Sequence, residues 1–121
     1  MKSTDTGIKR ILKAFTYSYN GFKSTYKSEA AFRQDTAIFV IFSILAFFLP
    51  LSLPNKLYLI SSLLLILIAE LINTAIETII DRISPEYNEL SKKAKDIGSL
   101  IVLLAFIYAL IQWLNVFIYL K

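Results

Sequence analysis

The chain has 121 residues, one domain by length, yet 56% of them are apolar and the mean hydropathy is +0.60, more than a soluble fold of this size can hide. With no cysteine and no histidine, disulfides, zinc sites, a cysteine nucleophile and a Ser-His-Asp arrangement are excluded. Gly7, Gly21 and Gly98 fall in neither a P-loop nor a dinucleotide-binding pattern, and the net charge of +4 is explained better by lysines flanking membrane spans than by nucleic acid.

The first 35 residues lack the apolar core and small-residue cleavage site of a signal peptide. Ile8, Ile11, Leu12, Phe15 and Tyr19 recur at helical spacing, with Lys9, Arg10, Lys13 and Tyr17 off that stripe. The pattern predicts a basic amphipathic surface helix over residues 6–27, capped by Thr6 or Asp5. Two roles stay open for it: anchoring alone, or anchoring while Arg10 and its neighbours hold an anionic or phosphorylated ligand.

Three spans follow, because crossing a ~30 Å hydrocarbon core takes about 20 apolar residues. Residues 36–55 and 97–120 carry no charge, and residues 57–80 carry only Glu70 and Glu77. The expected boundaries are 30–50 for span one, 57–82 for span two, and 84–120 for a polar loop and span three. Pro50 and Pro54 suit a tight turn between the first two spans. In the second loop, Ser84-Pro85-Glu86 reads as a helix start, with serine as cap and proline in the first turn. Ala105 and Ala109 permit close helix packing, and Trp113 and Tyr119 suit an aromatic belt at the far end of span three. The fold class is therefore all-α: a polytopic membrane protein with three spans and a surface helix.

Eleven basic residues lie on one side of these spans: Lys2, Lys9, Arg10, Lys13, Lys23, Lys27, Arg33, Arg82, Lys92, Lys93 and Lys95. Only Lys56 and Lys121 lie on the other. This asymmetry places the N-terminus and the second loop in the cytoplasm and the C-terminus outside.

Span two is unusual. Its segment AELINTAIETIIDR sets Glu70 and Glu77 about 20° apart around a helix and ~10 Å apart along it, with Asn73 within about 60° and Asp81 continuing the stripe. A carboxylate at mid-span costs on the order of 2.5 kcal/mol or more and faces a bundle interior or a wet cavity. The seam serves as interhelical glue, as a proton path, or as a catalytic site. Glu29 and Arg33 before span one, and Lys95-Asp96 before span three, bring further charge to the same interface and favour the third. A phosphate donor from water could meet a lipid acceptor there.

EAAFRQD, AELINTAIETIIDR and SPEYNELSKKAKDIGS resemble the bacterial membrane-bound diacylglycerol kinase family, from about Gly7 to the end of span three. The resemblance implies a homotrimer in a bacterial inner membrane, with sites shared between subunits. It also implies phosphorylation of sn-1,2-diacylglycerol by Mg-ATP to phosphatidic acid. On matching positions it implies Glu70 as general base supported by Asn73, and Glu29 and Glu77 as holders of Mg2+ on ATP. Tyr17, Glu86, Asn88, Lys95 and Asp96 match nucleotide positions. Arg10, Ala31, Arg33, Gln34, Ser99 and Trp113 match the lipid side. Asp35 stands where glutamate is frequent, Asn88 where histidine is frequent, and Pro85 interrupts the loop. An undecaprenol kinase of the same superfamily is the alternative, with a small proton-coupled transporter more remote. EAAFRQ at the head of span one favours the diacylglycerol type.

Overall fold

Long apolar runs with no water to satisfy their backbone must pair N–H and C=O groups within the segment, and helix is the single-segment solution. The computed structural model describes residues 6–119, and all their regular structure is helical. Helix α1 is Gly7–Ser28, α2 Ala30–Phe48, α3 Leu53–Ile83 and α4 Glu89–Ile118. Among these, α2, α3 and α4 are long and apolar enough to cross a membrane. Lys2, the alternative cap Asp5, Leu120 and Lys121 lie outside the described residues.

Thr6 holds the expected N-cap position of α1 in extended conformation, without a side-chain cap bond, and Gly7 enters the helix at φ +64°, which glycine alone adopts without steric cost. The other helix ends differ from the sequence expectation in three places. Pro54 belongs to α3 rather than to the turn: Ser52 caps that helix, its hydroxyl accepting from the Asn55 amide at 3.4 Å, and proline fits the first turn, where no N–H partner is needed. Ser84 ends α3 instead of starting α4, donating its N–H to Ile80 O at 2.8 Å. Asn88 is the true cap of α4, and its Oδ1 accepts from the Leu90 and Ser91 amides at 2.9 and 3.2 Å.

Contacts group the chain into two units divided after Arg33. In the first, Phe22 stacks on Tyr26 and meets Phe32 edge-on. No α1 residue is buried, and the apolar stripe of Ile8, Ile11, Leu12 and Phe15 is exposed. Glu29 is a one-residue extended junction between α1 and α2. Its N–H closes α1 on Thr25 O, and its carbonyl opens α2 on the Arg33 amide.

In the second unit α3 and α4 pack directly against each other. The buried residues of α4, Gly98, Ala105, Ala109 and Val116, recur on one face and are mostly small, which lets the two backbones approach. Leu63, Ile66 and Ala69 of α3 meet Ala105 and Ala109 in the central cluster. Helix α2 joins through side chains: Phe39 packs on this cluster, Phe42 meets Trp113 edge-on, and Ala46 packs with Leu59 and Val116. Trp113, expected in an aromatic belt at the far end of span three, also has a partner within the chain. It is half-buried, donates its indole N–H to the fully buried Ser62 Oγ at 3.1 Å, and so ties α4 to α3.

Candidate functional site

The same α3 face that is apolar at Leu63, Ile66 and Ala69 becomes polar one turn on. Glu70, Asn73 and Glu77 are each half-buried, as residues flanking a helix seam should be. Asn73 Nδ2 donates to Glu77 Oε1 at 3.2 Å, one turn apart on the helix. This bond fixes one oxygen of Glu77 and leaves the carboxylate a second for other partners. The Glu70 carboxyl lies close enough to that of Asp35 on α2 for the two acids to act on each other. That contact was not legible in the sequence, where Asp35 stood out only for occupying a position at which glutamate is frequent.

Beyond Glu77 the seam reaches the α3–α4 loop. Lys95 Nζ pairs with Asp81 Oδ1 at 2.7 Å across the two helices, and Glu77 is close enough for its charge to act on the same lysine. Lys92 pairs with Asp96 at 2.7 Å along α4. Both pairs are largely exposed, so each adds little to stability. They do hold Lys92, Lys95 and Asp96 in place along the wall of one cleft. That cleft, about 310 Å³, is lined by Glu86, Asn88, Lys95 and Asp96, with Ser84, Pro85, Tyr87 and Lys92 around them. Of the expected ATP-binding residues, Glu86, Asn88, Lys95 and Asp96 thus line one cleft, with Glu77 near its Lys95. Glu29 and Tyr17 belong to the other unit, where Tyr17 is exposed on α1. Lys92 was not foreseen as a lining residue; its i,i+4 spacing to Asp96 was the available signal.

Asn88 has two tasks in prospect, since its Oδ1 is committed to the cap while its amide nitrogen remains to donate. Arg33 likewise has a structural task that the sequence did not reveal. Its Nη1 donates to the carbonyls of Tyr26 and Lys27 at 2.7 and 3.0 Å, where a cation meets the negative end of α1. Arg10 and Ala31 are exposed in the same unit, and Glu29 is half-buried at the junction. Gln34 and Ser99 are exposed in the second unit. Trp113 lies at the opposite end of the α3–α4 pair from Lys95, bound to Ser62. Among the described residues no three acids gather as a ready-made metal cage.

Comparison with known proteins shows the family. The family model described as prokaryotic diacylglycerol kinase matches residues 16–117. A protein of Escherichia coli strain K12 named diacylglycerol kinase is 43% identical over 113 residues, covering 93% of each chain. A diacylglycerol kinase of Pseudomonas aeruginosa is 42% identical over 111 residues, covering 92% of this chain and 90% of its own. One of Helicobacter pylori strain 26695 is 36% identical over 107 residues, covering 88% and 84%.

Proposed function

The chain belongs to the prokaryotic diacylglycerol kinase family, and from that premise we propose that it transfers the γ-phosphoryl group of Mg-ATP to the hydroxyl of sn-1,2-diacylglycerol, releasing phosphatidic acid and ADP. The observation that carries this reading is the order of groups along one helix face. Glu70 comes first, beside the apolar core. The bonded Asn73–Glu77 pair follows one turn on, and the Lys95–Asp81 pair stands at the mouth of the loop cleft. A lipid hydroxyl and a water-soluble phosphate donor need this sequence of environments, apolar to charged.

Phosphoryl transfer asks chiefly for positioning and charge neutralisation, with a base to take the proton of the attacking hydroxyl. Glu70 is placed for that proton, because a diacylglycerol hydroxyl lies just below the headgroups. Lys95 neutralises phosphate charge in the absence of a P-loop lysine, exchanging Asp81 for the nucleotide. Glu86, Asn88 and Asp96 shape the cleft around the nucleotide, with Tyr17 contributed by α1. Glu77 and Glu29 are the carboxylates that would hold Mg2+, and the ion would supply neutralisation of phosphate charge. The residues fit this ion, since Mg2+ takes one or two carboxylates with phosphate oxygens and water completing its shell, and Glu77 keeps an oxygen free of Asn73. Arg10, Ala31, Arg33, Gln34, Ser99 and Trp113 line the lipid side. The exposed apolar stripe of α1 suits a helix lying in the bilayer interface. The excess of positive residues on one side of the spans supports a cytoplasmic N-terminus, loop cleft and ATP site in a bacterial inner membrane.

Purified protein incubated with labelled Mg-ATP in mixed micelles is expected to phosphorylate diacylglycerol. Label confined to undecaprenol in a parallel incubation would move the acceptor to the polyprenol, and no labelled lipid would overturn the kinase reading. The reading includes a homotrimer with sites shared between neighbours. Mixed assemblies of Glu29→Gln and Glu70→Gln subunits then regain activity that neither variant shows alone; absence of recovery would place each site within one subunit.

A further inference from the structure

Gly98 sits inside α4, where glycine is less favourable than alanine, so its presence needs a local reason. It is buried on the face turned to α3. A methyl group built on its Cα would collide with Asn73 Oδ1 and touch Ile76 Cδ1 at 3.5 Å. The missing side chain is therefore a notch, and the amide of Asn73 fills it. That Oδ1 is buried with no hydrogen-bond partner among the described residues. The reason lies at the other end of the amide. A carboxylate only accepts, so Asn73 must turn its NH2 toward Glu77 and its oxygen away, toward α4. Only a residue offering Cα–H and no Cβ can receive that oxygen so closely.

We infer that Gly98 is a positioning residue for phosphoryl transfer: by accommodating the Asn73 amide it fixes the orientation in which Asn73 holds Glu77 for the metal–nucleotide. The inference rests on the reading of Glu77 as a metal-holding carboxylate. Groups that orient a metal's carboxylate change metal affinity by about 10–100-fold when lost. Gly98→Ala, acting one residue further out, falls at the lower end.

The test measures Mn2+ binding by electron paramagnetic resonance, in the presence of a non-hydrolysable ATP analogue and without turnover. Wild type is compared with Glu77→Gln, Asn73→Ala, Gly98→Ala and the Asn73→Ala/Gly98→Ala double variant. Gly98→Ala and Asn73→Ala are each expected to weaken Mn2+ binding roughly 10-fold. The double variant is expected to match Asn73→Ala alone rather than the product of the two, because the collision partner is gone. Should Gly98→Ala fail to fold, a double variant that folds and binds like Asn73→Ala gives the same support. A double variant that also fails to fold would overturn the inference, since the obstruction is then not Asn73. Gly98→Ala binding like wild type beside a weakened Glu77→Gln would overturn this inference alone. Glu77→Gln binding like wild type would overturn the metal reading and this inference with it.

Discussion

The two ends of the α3–α4 pair use the same helix face for opposite purposes. At one end Trp113 and Ser62 satisfy each other beside Leu59, Ala46 and Val116, with no charge in that cluster. At the other end Asn73, Glu77, Asp81 and Lys95 face each other across a glycine, and a buried amide oxygen is left unpaired. The first end is finished by its own chain. The second holds acids, a cation and an amide that the packing of the helices alone does not require. Small residues at Ala105 and Ala109 join the two, so the apolar end sets the spacing at which the polar end works.

Substitutions should respect that division. Glu70→Gln is expected to lower turnover by about 10³-fold, the scale of a lost general base, while ATP binding stays within about 2-fold. Steady-state rates set beside equilibrium binding of an ATP analogue check this, and near-normal turnover would remove Glu70 from the base role. Lys95→Met should reduce kcat/KM for ATP by roughly 10²-fold, as loss of a charge-stabilising donor does. A change confined to the KM for diacylglycerol would place the lysine elsewhere. Asn88→Ala should destabilise the start of α4 by about 1 kcal/mol, seen as faster hydrogen exchange at Leu90 and Ser91. Asn88→Asp should restore the cap while repelling phosphate, so recovered protection with weakened ATP binding separates the residue's two tasks. At the apolar end Ser62→Ala should cost about 0.6 kcal/mol, read from the unfolding midpoint in detergent, and leave activity within about 2-fold. A large activity loss from Ser62→Ala would erase the distinction between the ends.

The spans were legible because an uncharged run of bilayer length leaves few alternatives. The seam was legible because a seven-residue spacing nearly returns a helix to the same face. Residues whose meaning depends on a partner were not. Ser84-Pro85-Glu86 and Asn88-Glu89-Leu90 both carry helix-start chemistry, and only the point where α3 ends decides between them. Trp113 reads as a belt residue, and its bond to Ser62 is set only by the packing of α3. Arg33 reads as a ligand contact, and its bonds to two carbonyls depend on where α1 ends. Gly98 reads as one more small residue, because the antiparallel register that brings it to Asn73 is absent from any local pattern.

The single face shared by Gly98, Ala105, Ala109 and Val116 also sets a rule of phase. One residue inserted between Gly98 and Ala105 would rotate every position before it by about 100° relative to the rest of α4. Ala105 and Ala109 would still seat against α3, but Gly98 would swing off Asn73 and Lys95 off Asp81. The chain length between the apolar anchor and the charged end is thus as restricted as the residues themselves, and a deletion there should be as damaging as the loss of an acid.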